Sequence, residues 1–307
     1  MGKIPVNIIS GFLGSGKTTA IIQLLGQRTS DEPWAVIINE FGKISIDSQT
    51  LQSSSAAGDV FDISGGCICC SAKGYFRENL DKIVRSGNYS RIIIEPSGLG
   101  GIEMVSEIIA ENSSLSLMPV ICLVDINLIE NSRLQINQVY KMQIQKSDII
   151  LFTKCDLLTN EAIELSLVQK FKSLFPDKYI AGKKLLYSLL EKDFNVKNES
   201  TYRMLSNGNP GLLDTNYQTI NYLFKADTIF DAEKLTHFFH NHSSEILRAK
   251  GYVKTENGWN LLNFTLSGLN IEPCQNKEQN EIVIIFDIND QIIIHTFDVE
   301  IQKCCTL

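Results

Sequence analysis

The stretch Gly11-Phe12-Leu13-Gly14-Ser15-Gly16-Lys17-Thr18-Thr19 constrains this chain more than any other. A short apolar run, residues 5–9, precedes it, and Ala20-Ile21-Ile22-Gln23-Leu24-Leu25, apolar at helical spacing, follows. The order is strand, glycine-rich loop, helix. Glycines let backbone N–H groups close around a phosphate without a Cβ clash, and the next helix aims its positive end at the same place. The pattern Gly11-x4-Gly16-Lys17-Thr18 is a complete P-loop, which makes Gly11, Gly14, Ser15, Gly16, Lys17, Thr18 and Thr19 the candidate phosphate cradle. In it Lys17 reaches the β- and γ-phosphates and the Thr18 hydroxyl ligates Mg²⁺. A chance glycine-rich turn is the bland alternative, and the flanking strand and helix argue against it.

Further continuous apolar runs lie at 34–38, 91–94, 119–124 and 148–152. Helical spacing near 72–86, 102–111, 128–145 and 159–174 separates them. Continuous apolar strands alternating with helices predict an α/β fold, a mostly parallel sheet covered by helices on both faces. Residues 191–216 carry Asn207-Gly208-Asn209-Pro210-Gly211 and read as a linker. Beyond them the pattern becomes that of a smaller α+β domain, with strand-like runs at 219–224, 251–255, 259–266, 282–288 and 291–297 and a helix near 231–247. The expected organisation is a P-loop domain over 1–190, a linker over 191–216 and a C-terminal domain over 217–307.

Two further motifs follow apolar strands. Glu95-Pro96-Ser97-Gly98 puts a carboxylate at the carboxyl end of a buried strand, where Mg²⁺ or its water shell belongs, and a Gly98 N–H within reach of a γ-phosphate. Thr153-Lys154-Cys155-Asp156 follows the strand at 148–152. An aspartate there accepts both N–H bonds of a guanine edge, and adenine offers no such pair. The lysine stem covers the base. A polar turn opening the next helix is the plainer reading, but order and spacing favour a guanine site at Thr153, Lys154 and Asp156.

The chain of 307 residues has 28 Lys plus Arg against 35 Asp plus Glu, a net charge of −7. No global positive field draws it to nucleic acid. No apolar run of membrane-spanning length is present, and the first residues lack a signal peptide's pattern, so a cytoplasmic protein is expected. Eight cysteines are then the odd feature, because disulfide frameworks are rare in reducing compartments. Three of them fall in Gly65-Gly66-Cys67-Ile68-Cys69-Cys70. Thiolates suit Zn²⁺ and similar ions. Buried structural cysteines and a redox role are the alternatives. The tail Cys304-Cys305-Thr306-Leu307 formally fits a prenylation box with poor aliphatic positions, and reads better as a plain tail or an extra contact for metal or client.

Taken together, the loop Gly11–Thr19, Asn39-Glu40-Phe41-Gly42 with Asp47, the cluster Cys67-Ile68-Cys69-Cys70, Glu95-Pro96-Ser97-Gly98 and Thr153-Lys154-Cys155-Asp156 resemble the CobW family of P-loop GTPases, relatives of HypB and UreG. Leu247-Arg248-Ala249-Lys250-Gly251 looks like the opening of that family's C-terminal domain. The resemblance implies a GTP-hydrolysing metallochaperone or metal-insertion factor. It implies catalytic roles for Lys17, Glu95 and Asp47, GTP or GDP with Mg²⁺ at Thr18 and Glu95, and a transition metal at Cys67, Cys69, Cys70 and Glu40. Zinc leads, with cobalt or nickel next. The partner it implies is a client metalloprotein or cofactor-biosynthesis enzyme, with a second copy of the chain as a further one, and neither nucleic acid nor membrane. The rival functions are a P-loop ATPase or kinase and a passive zinc store.

Several departures bear on mechanism. The guanine motif of the family usually begins with Asn, and here Thr153 stands there. The acid that often follows Asn-Glu-Phe-Gly is Lys43, and the family's long His-rich stretch is reduced to His237, His240 and His242. Leu99 follows Glu95-x-x-Gly98, where Ras-type GTPases carry a water-orienting Gln, so slow intrinsic hydrolysis is expected.

Overall fold

The computed structural model describes residues 2–28, 32–38, 59–63, 70–98, 101–158, 160–185, 187–191, 217–286 and 291–306, without the side chains of 62, 70–72 and 291–295. The chain divides into two compact units, Met1–Phe194 and Asn195–Leu307. Of the expected linker, all but Glu191 lies outside the described residues.

The first unit is an eight-stranded parallel sheet. Its strands are β1 (Ile4–Gly11), β2 (Trp34–Ile38), β3 (Asp59–Asp62), β4 (Arg91–Glu95), β5 (Leu115–Leu117), β6 (Ile121–Asp125), β7 (Ile149–Thr153) and β8 (Tyr179–Ile180). The order is β3-β2-β4-β1-β6-β7-β8, with β5 pairing the first half of β1. The helices are α1 (Lys17–Leu25), α2 (Cys70–Ser86), α3 (Ile102–Glu111), α4 (Ser132–Ile136), α5 (Gln138–Gln145), α6 (Glu161–Leu174) and α7 (Tyr187–Leu190).

Alternate residues of β1, β2 and β4 serve two separate cores, which is why their runs are largely apolar, with Asn7 of β1 as a buried polar exception. Ile9, Val36, Ile93, Leu123 and Leu151 pack with Ile21, Leu24 and Leu25 of α1 and with Leu189 and Leu190 of α7. Val6, Ile8, Ile37, Ile92 and Ile94 pack with Phe76, Leu80 and Ile83 of α2 and Val105, Ile108 and Ile109 of α3. The helix expected over 128–145 is two helices. Asn137 separates them, because its side chain accepts from the Tyr140 N–H at 2.9 Å and so caps α5. β3, β5 and β8 are only two to four residues long and had no sequence signal of their own.

The second unit has a sheet of seven strands. They are β9 (Gln218–Phe224), β10 (Ile229–Phe230), β11 (Ile246–Thr255), β12 (Gly258–Thr265), β13 (Gly268–Pro273), β14 (Asn280–Phe286) and β15 (Cys305–Thr306). β11 is central, antiparallel to β12 on one side and β14 on the other; β13 continues beyond β12 and β9 beyond β14. Helices α8 (Ala232–Asn241) and α9 (Gln291–Lys303) cover one face with Leu235, Phe238, Phe239, Phe297 and Ile301.

The expectations for this unit need four corrections. The run 291–297, read as a strand, is the start of α9. Its isoleucines suggested β structure, but Phe297 and Ile301, four residues apart and both buried, fix a helical face against the sheet. The helix near 231–247 stops at Asn241, and the run Leu247–Gly251, expected to open the domain, lies inside β11, after β9, β10 and α8. The strand β13 was missed. The terminal pair is structural in this unit: Cys304 is buried, its thiol pushed up by burial to about 11, and Cys305 pairs with Phe230 of β10.

Phe239 is fully buried and stacks on Phe264 of β12, with ring centroids 5.3 Å apart. Phe239→Ala is expected to cost about 3–5 kcal/mol of the second unit's stability, read as a lower urea midpoint. An unchanged midpoint would contradict this packing.

Candidate functional site

Chain order makes β1 the switch strand of the parallel sheet. The chain runs from β1 to β2 on one side, returns to fill the gap with β4, and then crosses to β6 on the other side. In open sheets of this kind, ligands sit beyond the carboxyl ends of the strands at that point. The carboxyl ends of β1, β4, β6 and β7 carry, in turn, the P-loop, Glu95, Asp125 and Thr153.

The P-loop is pressed against the sheet. A Cβ on Gly11, whose φ is 149°, would lie 2.5 Å from the Leu123 carbonyl oxygen and 2.4 Å from Ser15 Oγ, so only glycine fits there. Lys17 is 5% exposed and donates to the carbonyls of Gly11 at 2.9 Å and Phe12 at 3.4 Å. No acidic residue occupies the first turn of α1, which leaves its N-terminal end positive. Ser10 Oγ and Ser15 Oγ are buried without a hydrogen-bond partner among the described residues. A buried ammonium, orphan hydroxyls and a positive helix end together suit an anion.

Glu95 ends β4 and is 3% exposed. The Thr18 hydroxyl donates to its carboxylate and lies 3.4 Å from both oxygens. A hydroxyl and a carboxylate at that spacing are the hard oxygen donors that Mg²⁺ takes, so the pair fits this ion. Gly98 follows one turn later. A Cβ there would lie 2.7 Å from Leu13 Cδ2 and 3.2 Å from the Leu13 nitrogen, so the turn after Glu95 rests directly on the P-loop backbone.

Thr153, Lys154 and Asp156 lie at the end of β7 and in the turn after it. The Thr153 hydroxyl donates to the Ser15 carbonyl at 2.8 Å and so ties this motif to the P-loop. Thr therefore provides a local anchor at the position where Asn is usual. Among the described residues Lys154 is the one non-glycine with positive φ, at 57°. Its ammonium pairs with Asp125 at 2.8 Å, and its carbonyl accepts from Asn127 at 3.0 Å. Asp156 is exposed and open to a ligand edge.

Asp125 was missed by sequence reasoning. It is 4% exposed, caps the turn after β6 through the Asn127 N–H at 3.1 Å and holds the Lys154 stem. An acid ending the run 119–124 was the available signal, the same signal used for Glu95. Glu40, Asp47, Cys67 and Cys69, expected as metal-ligating or catalytic residues, lie outside the described residues. Cys70 is the first residue of α2 by its backbone. Among the described residues no group of three or more His, Cys, Asp or Glu could hold a metal ion. His237 and His240 are exposed on α8, and His242 pairs instead with Glu300 at 2.6 Å.

Residues 5–180 match the family of CobW/HypB/UreG nucleotide-binding domains. The chain belongs to this family. Residues 220–299 match the cobalamin synthesis protein cobW C-terminal domain. The zinc chaperone YeiR of Escherichia coli K12 is 35% identical over 159 residues, 51% of this chain and 48% of that protein. The zinc-regulated GTPase metalloprotein activator 1 of Schizosaccharomyces pombe is 28% identical over 174 residues, 54% of this chain and 42% of that protein. The chain spans about half the length, or less, of these curated relatives. The crystal structure of Zn(II)-bound YjiA GTPase from E. coli aligns with a TM-score of 0.44 at 16% identity, over 98% of this chain and 99% of that one. Among the described residues no helix is long and apolar enough to cross a membrane.

The cysteines outside the cluster sort by environment. Cys122 is buried in β6, and burial pushes its thiol up to about 12 against the opposing pull of Lys17. Because the thiolate is the reactive form, Cys122 is expected to resist Ellman's reagent at pH 8 in the folded protein and to react on unfolding in guanidinium. Labelling of Cys122 in the folded chain would contradict this burial.

Proposed function

We propose that the chain is a GTP-hydrolysing metallochaperone that carries a transition metal on Cys67, Cys69 and Cys70 and hands it to a client protein. One observation carries the reading: Lys17 with Thr18, Glu95 with Gly98, and Thr153 with Lys154 and Asp156 converge at the carboxyl ends of neighbouring strands. The Cys motif lies in sequence between the first two of these groups, ending where α2 begins. Relatives named zinc chaperones make zinc the first candidate cargo.

In this reading Lys17 and the α1 N-terminus bind the β- and γ-phosphates. Thr18 and Glu95 hold Mg²⁺, which supplies charge neutralisation on the phosphate oxygens. The Gly98 N–H meets the γ-phosphate. Asp156 accepts the guanine edge, and the Lys154 stem covers the base, held in place by Asp125. Asp47 assists catalysis. Three thiolates leave a tetrahedral ion one position, for Glu40 or a client ligand, and an open position suits transfer. The partners are a client metalloprotein or cofactor-biosynthesis enzyme and, for stimulated hydrolysis, a second copy of the chain.

The test is nucleotide turnover and metal binding by the purified chain. GTP is expected to bind in preference to ATP, with turnover below about one per second because Leu99 cannot orient water. Lys17→Ala is expected to lower turnover about 100-fold or more. Changing Cys67, Cys69 and Cys70 to Ser is expected to abolish stoichiometric Zn²⁺ binding and leave GTP binding intact. Preference for ATP, or full Zn²⁺ affinity in the triple Ser variant, overturns the reading.

A further inference from the structure

Gln143 has no place in the function just given, yet it reaches into the site from a distant part of the chain. It sits on α5 and is 2% exposed. Its Nε2 donates to the Gly98 carbonyl at 3.0 Å, a bond that spans 45 residues of sequence. Its Oε1 is buried without a hydrogen-bond partner among the described residues. A buried orphan acceptor is costly, so a glutamine here is not explained by packing alone.

The surroundings give that bond a purpose. Gly98 is held on its other side by the P-loop, at Leu13. The helix that carries Gln143 touches the P-loop as well, because Tyr140 meets Phe12 edge-on with ring centroids 6.0 Å apart. At the end of the same helix Lys146 pairs with Glu103 of α3 at 2.7 Å, and α3 starts just after the Gly98 turn. Helix α5 therefore contacts the P-loop, the turn after Glu95 and the helix following that turn.

We propose that Gln143 is a positioning residue that fixes the Gly98 turn for the γ-phosphate and transmits the state of that turn to α5. This rests on the guanine-nucleotide reading above. With its carbonyl tied to Gln143, Gly98 is held on the side opposite its N–H before nucleotide arrives, so binding does not bear all of that residue's ordering cost. A primary amide presents a donor and an acceptor side by side. Nε2 holds the Gly98 carbonyl before nucleotide arrives, and Oε1 is available to a donor that the γ-phosphate-bound turn brings to it. A nucleoside diphosphate makes no demand on this turn, so the residue separates the two nucleotide states and leaves basal diphosphate binding alone.

The experiment compares wild type with Gln143→Leu and Gln143→Met, which remove the amide's donor and acceptor at similar volume. Affinities for GDP and for a non-hydrolysable GTP analogue are read by fluorescent-nucleotide titration, with kcat and KM for GTP and thermal unfolding alongside. The expected result is a GTP-analogue affinity weakened about tenfold, a lower kcat, and GDP affinity within about twofold of wild type. In wild-type protein the side-chain amide resonances of Gln143 are expected to differ between the GDP and GTP-analogue states, a readout that needs no variant. Equal weakening of both nucleotides, an unchanged affinity ratio, or identical Gln143 amide resonances in the two states overturns the proposal alone. Failure of the wild-type chain to bind either guanine nucleotide overturns the site reading and this proposal with it.

Discussion

A lysine ammonium drawn under its own glycine loop governs the rest of this site. Lys17 is nearly excluded from solvent and donates to two carbonyls of the loop that precedes it. Burying a cation is costly, and the loop carbonyls offset part of that cost. The loop can curl this tightly only because Gly11 lets it pass against the Leu123 carbonyl. The result is a glycine-lined backbone surface with a buried ammonium bonded to it, at the carboxyl end of the switch strand. The neighbouring elements are arranged around that surface: Glu95 bonded to Thr18, Gly98 against Leu13, and Thr153 bonded to Ser15.

These contacts make the P-loop a junction between parts of the chain far apart in sequence. The Thr153 bond crosses 138 residues and the Thr18 bond 77. A ligand that stiffens the loop is therefore felt at β4, at β7 and, through Phe12 and Tyr140, at α5. The turn after Glu95 joins the same junction, through Gly98 against Leu13 and Gln143 bonded to the Gly98 carbonyl.

Much of this was legible in sequence, and for a definite reason. Both faces of the parallel sheet are buried, so the long strands are largely apolar runs, and the P-loop, Glu95 and Thr153 motifs could be placed on strand ends directly. The signals failed where local composition and tertiary packing disagree. The isoleucines of 291–297 have strand propensity, but Phe297 and Ile301 select a helix by the face they bury. Asn137 interrupts a helical pattern by capping, which periodicity does not register. Gln143 escaped because its bond to the Gly98 carbonyl has no linear spacing, whereas Asp125 carried the same strand-end signal as Glu95 and only its pairing with Lys154 was invisible. The Cys motif remains a sequence reading, since Cys67 and Cys69 lie outside the described residues.

In the proposed reading the phosphate site and the cysteine motif, which lies in sequence between the P-loop and Glu95, are coupled. Zinc affinity of the wild-type chain, measured by competition with a chromophoric chelator in the presence of GDP and of a non-hydrolysable GTP analogue, tests it most directly. The account predicts dissociation constants that differ by about fivefold or more between the two states, with an equal and reciprocal effect of zinc on nucleotide affinity. Identical zinc affinities in the two nucleotide states would contradict it.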